Sequence, residues 1–181
     1  MPRFIAFLRA INVGGHIVKM DDLRSMFQSM GFKSVETFIA SGNVIFDSKS
    51  QNTKSLEEQI ENHLEKELGY QVATFIRNPS EITAISRQNP FSEPEIAEAV
   101  ALNIALMTEP LNETTLTTLL ALKTDVDNFQ AIGREVYWLC RKKQSESKFS
   151  NAVFEKTLRI KATFRGLSTI SKLAAKYGKN E

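Results

Sequence analysis

The chain of 181 residues sets 23 Lys and Arg against 21 Asp and Glu, a net charge of +2, with 42% hydrophobic residues and one cysteine. That balance is ordinary for a folded globular protein and excludes a disordered chain, while a lone Cys140 excludes an internal disulfide. No apolar run approaches ~18 residues, and the stretch before Arg9 is too short for a secretory core, so the expectation is a cytoplasmic protein without a membrane span.

In chain order, residues 3–9 (RFIAFLR) read as a strand. Met20, Leu23, Phe27 and Met30 then recur at helical spacing until Gly31. Residues 34–40 and 43–47 read as strands joined through Ser41-Gly42. A second helix opens on Ser55 and Glu58, an S-x-x-E capping box, and carries Leu56, Ile60, Leu64 and Leu68 on one stripe. Its Glu57, Glu58, Glu61, Glu65 and Glu67 read as the solvated side. Residues 72–77 supply a fourth strand. The order β-α-β-β-α-β is that of a ferredoxin-like unit.

The rest of the chain reads as a blurred second copy, without an exact repeat. A short helix (80–88) and the Asn89-Pro90-Phe91 break lead to a strand at 100–107. A helix at 112–122 follows, then strands at 127–132 and 135–140, a polar loop, a helix at 151–158, an extended piece and a final helix. The expected fold is α+β: a ferredoxin-like subdomain over 1–79, and a second, related α+β subdomain over 80–181 packed against it. Both faces of the first sheet look apolar, so the second subdomain or a partner chain should cover the open one. The protein is expected as a monomer or homodimer.

In a ferredoxin-like sheet of order 4-1-3-2, strands one and two run parallel, so the loop after the first and the turn after the second leave one edge. Arg9, Asn12, Gly14, Gly15 and Lys19 should therefore emerge beside Ser41, Gly42 and Asn43. Glycines, a helix start and cations in one place can hold an anion. Neither G-x-x-x-x-G-K-[ST] nor G-x-G-x-x-G occurs. The same residues also read as plain architecture: glycines at positive φ, Asn12 capping a loop, and a tight hairpin. A second anion seat is read at 163–169, TFRGLST, from its arginine, glycine and hydroxyls, against an N-cap beside a surface arginine. A ligand spanning both seats would lie between the subdomains.

The motifs LRAINVGG, VKMDDLRSMFQSMGF, TFIASGNVIF, NPF and ATFRGLSTISKL resemble, in order, the landmarks of the bacterial family called domain of unknown function 1697. The resemblance implies a two-part α+β fold and no established activity. It marks Arg9, Ile11, Asn12, Val13, Gly14, Gly15, Lys19, Ser41, Gly42, Asn43, Thr163, Arg165, Thr169 and Leu173. Ala10 stands where the family has glycine, Ala40 where Gln is common, and Gly166-Leu167 where Asn-Trp is typical.

No catalytic residue, cofactor or metal site is assigned. His16 and His63 form no ligand pair, and Cys140, closing a strand, reads as a buried inert thiol. Asp21 and Asp22 suit the start of a helix. From Arg141 onward, 11 Lys and Arg face only Glu146, Glu155 and Glu181, a net +8, while the preceding 140 residues carry −6. The expected partner is a small anionic ligand at residues 9–19 and 41–43. The alternatives are nucleic acid on the basic C-terminal segment, and a structural or dimerisation role.

Overall fold

The computed structural model describes residues 1–12, 14–39 and 42–178. Its elements are β1 (Arg3–Leu8), α1 (Met20–Ser29), β2 (Lys33–Thr37), β3 (Asn43–Asp47), α2 (Thr53–Leu68), β4 (Thr74–Arg77) and α3 (Pro79–Arg87). After α4 (Glu93–Glu98) come β5 (Ala101–Leu106), α5 (Glu113–Leu120), β6 (Asp127–Ile132), β7 (Glu135–Cys140), α6 (Asn151–Leu158), β8 (Thr163–Gly166) and α7 (Leu167–Tyr177). Two compact units result: unit 1 is Met1–Ile82 with Tyr177–Glu181, and unit 2 is Thr83–Lys176. Each carries one four-stranded antiparallel sheet, ordered β2-β3-β1-β4 and β6-β7-β5-β8, so the fold is α+β with two related subdomains.

In unit 1, strand alternation turns Phe4, Ala6, Leu8, Val44, Phe46 and Ile76 toward α1 and α2. There they pack against Leu23, Phe27, Leu56, Ile60 and Leu64. Ile5, Phe7, Ile45 and Phe75, on the other face, are buried as well. Glu36, on β2, accepts a 2.7 Å hydrogen bond from the Tyr177 hydroxyl. In unit 2 the corresponding core gathers Trp138, Phe149, Phe154 and Phe164 with Leu119 and Leu158. Trp138 Nε1 donates to Asp127 Oδ1 at 2.7 Å, and the Ser147 hydroxyl donates to Asp127 Oδ2 at 2.6 Å, which ties the polar 141–150 loop to the sheet.

Several expectations are corrected. The N-cap of α2 is Asn52, whose side chain accepts from Ser55 N at 3.1 Å; Ser55 is the third helical residue, not the cap. Glu57 is buried and accepts from Ile76 N at 2.9 Å, and Glu61 accepts from Thr74 N at 2.9 Å, so neither belongs to a solvated stripe. The reason is the sheet edge. β4 is an edge strand whose outward N–H groups need acceptors, and carboxylates four residues apart on α2 match N–H groups two residues apart on β4. The second strand ends at Thr37, short of residue 40, because Ile39 at φ +58 turns the chain out of the extended region. Helix α4 was not anticipated, although Ser92, Pro94 and Glu95 carry its signal: Ser92 and Glu95 form a capping box.

Candidate functional site

The loop after β1 and the turn before β3 meet at one edge of the first sheet. Leu8 N donates to Gly42 O at 2.9 Å. Gly42 has φ +77, and a Cβ there would stand 3.0 Å from Ile11 Cγ2 and 3.1 Å from Leu8 Cβ. Glycine is required at this position twice over, by its left-handed backbone and by the crossing chain. Asn43 is fully buried, and its Nδ2 donates to Phe38 O at 2.9 Å, bracing the turn from inside. Gly42 and Asn43 thus have architectural work. Ser41, and the family positions Val13 and Ala40, lie outside the described residues.

Val18 N donates to Asn12 Oδ1 at 2.8 Å, which closes the base of the loop that leads to α1. Its tip is exposed. Gly14 and Gly15 have φ +69 and +83 with no atom within 4 Å of either Cβ position. The His16 ring stacks on Tyr70, centroids 4.1 Å apart, and the Tyr70 hydroxyl donates to Ile11 O at 2.8 Å. Burial raises the pKa of Tyr70, which keeps that hydroxyl a donor. Lys19, exposed, is the residue before α1, and its side chain makes no cap there. Asp21 pairs with Arg24 in the first turn. Arg9 N donates to Ala73 O at 2.9 Å, which anchors the start of the loop to the neighbouring segment.

Between the two segments is a narrow cleft lined by Ile11, Asn12, Val18, Thr37, Ile39 and Asn43 among others, enclosing room for about one water molecule. The backbone around it is left-handed at Ala10 (φ +54), Gly14, Gly15, Ile39 and Gly42. Ala10, the position where the family resemblance expects glycine, is therefore one that glycine would occupy without strain.

Thr163 and Arg165 belong to unit 2. Strand alternation puts both on one face of β8 and Gly166 on the other, so the arginine, hydroxyl and glycine read together in TFRGLST do not converge. Arg165 is not a surface residue. It is buried, donates to Thr163 Oγ1 at 2.7 Å and Phe164 O at 2.9 Å, and burial pushes its guanidinium down to about 10. A counterpart in unit 1 went unnoticed in the sequence: Arg77, also buried, donates to Ile76 O at 2.9 Å. Arg77 faces Ile5 and Arg165 faces Ile104 in matching positions of the two sheets. The signal was available as a single Arg closing each apolar strand, in VATFIR and ATFRG.

At the end of unit 2 that corresponds to the unit 1 cleft, a wider, open hollow of about 380 Å³ is lined by Thr108, Glu109, Pro110, Asn112, Thr115, Ile160 and Lys161. Cys140 is buried, donates to Lys142 O at 3.0 Å, and burial pushes its thiol pKa up. His63 is half-buried, 3.0 Å from Ser29 Oγ. The basic C-terminal segment spreads its exposed Lys142, Lys143, Lys148, Lys156, Lys161 and Lys172 over loops and two helices, while Arg141 pairs with Glu98 at 3.0 Å. Among the described residues, no group of three or more His, Cys, Asp or Glu is placed to hold a metal ion, and no helix is long and apolar enough to cross a membrane.

Duplicated ferredoxin-like units with one strained, glycine-rich sheet edge define a class of two-part α+β proteins. The chain belongs to the family described as Protein of unknown function (DUF1697), whose model matches residues 1–137; TFRGLST lies beyond that span. It is similar in fold to a conserved bacterial protein, SP0830, from Streptococcus pneumoniae, at 22% identity and a TM-score of 0.72, with 99% of each chain covered. No curated protein matches it.

Proposed function

We propose that unit 1 binds a small ligand bearing an oxyanion at the loop 9–19, beside the turn at 42–43. The observation that supports this reading is the concentration of left-handed residues on the two facing segments, Ala10, Gly14, Gly15, Ile39 and Gly42. A β-branched residue at φ +58 costs about 1–2 kcal/mol, and such strain gathers where a backbone is shaped for contact rather than for stability. The exposed Gly14 and Gly15 admit close approach to the loop amides. Lys19 brings a cation to the start of α1, where N–H groups favour negative charge. The cleft itself is too small for a metabolite, so the ligand sits on the loop tip with the cleft beneath it.

A melting-shift screen with inorganic phosphate, nucleotides and phosphorylated or carboxylated metabolites tests this. Lys19→Ala should leave the unliganded midpoint unchanged, because the side chain is exposed and caps nothing, and should remove most of the ligand-induced shift. A screen with no stabilising compound, or a shift that survives Lys19→Ala, rejects the reading.

One observation favours a second function, docking of another chain. Ile17 at the loop tip is 86% exposed and Ile39 on the cleft rim 44%. Sedimentation of wild type against Ile17→Asp separates the two, since only docking loses mass with that change.

A further inference from the structure

Two loops of unit 2 line the open hollow, and the chain holds each of them in place. The first joins β5 to α5. Its start is tied where Met107 N donates to Arg134 O at 3.0 Å. Its end is tied where Asn112 Oδ1 accepts from Thr115 N at 2.8 Å and from the Thr115 hydroxyl at 2.7 Å. Pro110 restricts the backbone between them, and Leu111 packs against the core. The second loop joins α6 to β8. Glu155 binds it twice, its carbonyl accepting from Arg159 N at 2.8 Å and its Oε1 from Ala162 N at 3.2 Å. Arg159, at φ +55, turns the chain there, and Ile160 packs against the core. The hollow of about 380 Å³ is therefore formed before anything enters it, and its volume falls within the ~300–1,000 Å³ typical of ligand pockets.

The charges of its lining are not engaged. Glu109 comes from the first loop and Lys161 from the second, and both are exposed. Among the described residues neither side chain has an ion-pair or hydrogen-bond partner, and the two do not pair with each other. The Thr108 hydroxyl is unengaged as well. Pro110 and Ile160 add apolar surface. Asn112 already caps the start of α5, so the site does not draw on that helix terminus.

We propose that this hollow binds a small zwitterion of the amino-acid class. Its ammonium pairs with Glu109, its carboxylate with Lys161 and the Thr108 hydroxyl, and its apolar part lies on Pro110 and Ile160. The lining selects this chemistry. A phosphate dianion would meet a carboxylate as well as the one lysine and gain little. A metal ion would find a single carboxylate opposed by an ammonium. One charge of each sign, on separate loops, suits a ligand that carries one of each. A free amino acid and a dipeptide share these ends and differ in the distance between them. All of the residues belong to unit 2, and the loop of unit 1 takes no part.

The test is NMR on the ¹⁵N-labelled full chain, titrated with L-leucine and, separately, with glycyl-L-leucine. The backbone amides of Glu109, Thr115, Ile160 and Lys161 should shift together and saturate with one Kd. The tighter compound decides between amino acid and dipeptide. Its C-terminal amide keeps the ammonium and loses the carboxylate, and its N-acetyl form does the reverse. Each blocked form should bind roughly tenfold more weakly, the effect of one hydrogen-bonded charge. Lys161→Met and Glu109→Gln alter exposed side chains without partners, so both variants keep the wild-type melting midpoint. Lys161→Met should no longer distinguish the zwitterion from its amide, and Glu109→Gln should no longer distinguish it from its N-acetyl form. Lys19→Ala should leave every affinity unchanged, which separates this site from the loop of unit 1. Amides that ignore both zwitterions, blocked forms that bind as tightly as the zwitterion, or wild-type discrimination retained in both charge variants overturn the proposal.

Discussion

The two units solve one topology with the same hydrogen-bond devices and differ at their loops. Leu8 N reaches Gly42 O at 2.9 Å in unit 1, and Met107 N reaches Arg134 O at 3.0 Å in unit 2. Thr74 N on one edge strand is met by Glu61, and Ala162 N beside the other by Glu155. Arg77 and Arg165 occupy matching register positions. These repeated features satisfy demands any such sheet makes: paired turns, filled edge donors, a closed last strand. After β1, however, the chain takes an exposed, left-handed, glycine-bearing excursion to reach α1. After β5 it reaches α5 in a few residues under an Asn112 cap. After the last strands the units differ again: Asn78 caps α3 after β4, whereas Gly166, which has no side chain, stands before α7. What a shared fold does not require is the better guide to function.

The largest effect expected from breaking this comparison is at the turns. Gly42→Ala meets both a positive φ and two carbons near 3 Å and should cost about 3 kcal/mol, whereas Gly133→Ala, with only Glu135 Oε2 at 3.6 Å, should cost about 1 kcal/mol. Urea unfolding of both variants measures this, and equal losses would show the two turns to be equivalent. The edge carboxylates come next. Glu57→Ala leaves Ile76 N–H buried without an acceptor and should cost about 2 kcal/mol; Glu155→Ala, more open to water, about 1 kcal/mol. Hydrogen exchange at Ile76 and Ala162 should accelerate in the respective variants, and protection unchanged at Ile76 would remove Glu57 from the edge. The smallest effect is electrostatic. Arg3, by a 2.9 Å hydrogen bond and its charge, holds the Asp47 carboxyl below the usual carboxylate range. A lowered folded pKa stabilises above the unfolded value near 4 and is lost as pH falls through the folded one. Arg3→Met should flatten that part of the midpoint-versus-pH curve below about pH 4 by less than about 1 kcal/mol, since the pair is partly screened by solvent. An identical acid limb in wild type and variant contradicts it.

Alternation and helical spacing were enough to read seven of the eight strands among the described residues, with β8 only as a short extended piece, and six of the seven α-helices, including the repeated order. Those patterns report which face of an element meets the core, and burial enforces them locally. They also placed the loop beside the turn, because ferredoxin-like connectivity leaves no other edge for them. The same local rules misjudged Glu57 and Glu61, because a carboxylate on a polar helix face looks solvated until an edge strand is laid against it. They grouped Arg165 with Gly166, although one residue of β-strand separates opposite faces. They read Gly42 as a turn glycine without seeing Ile11 and Leu8 pressed against it. Asn103 passed as an ordinary strand residue; only its burial in the assembled unit leaves its Nδ2 without a hydrogen-bond partner. Sequence periodicity determined the elements and their faces, while the unmet hydrogen bonds arose only once separate strands and helices were brought side by side.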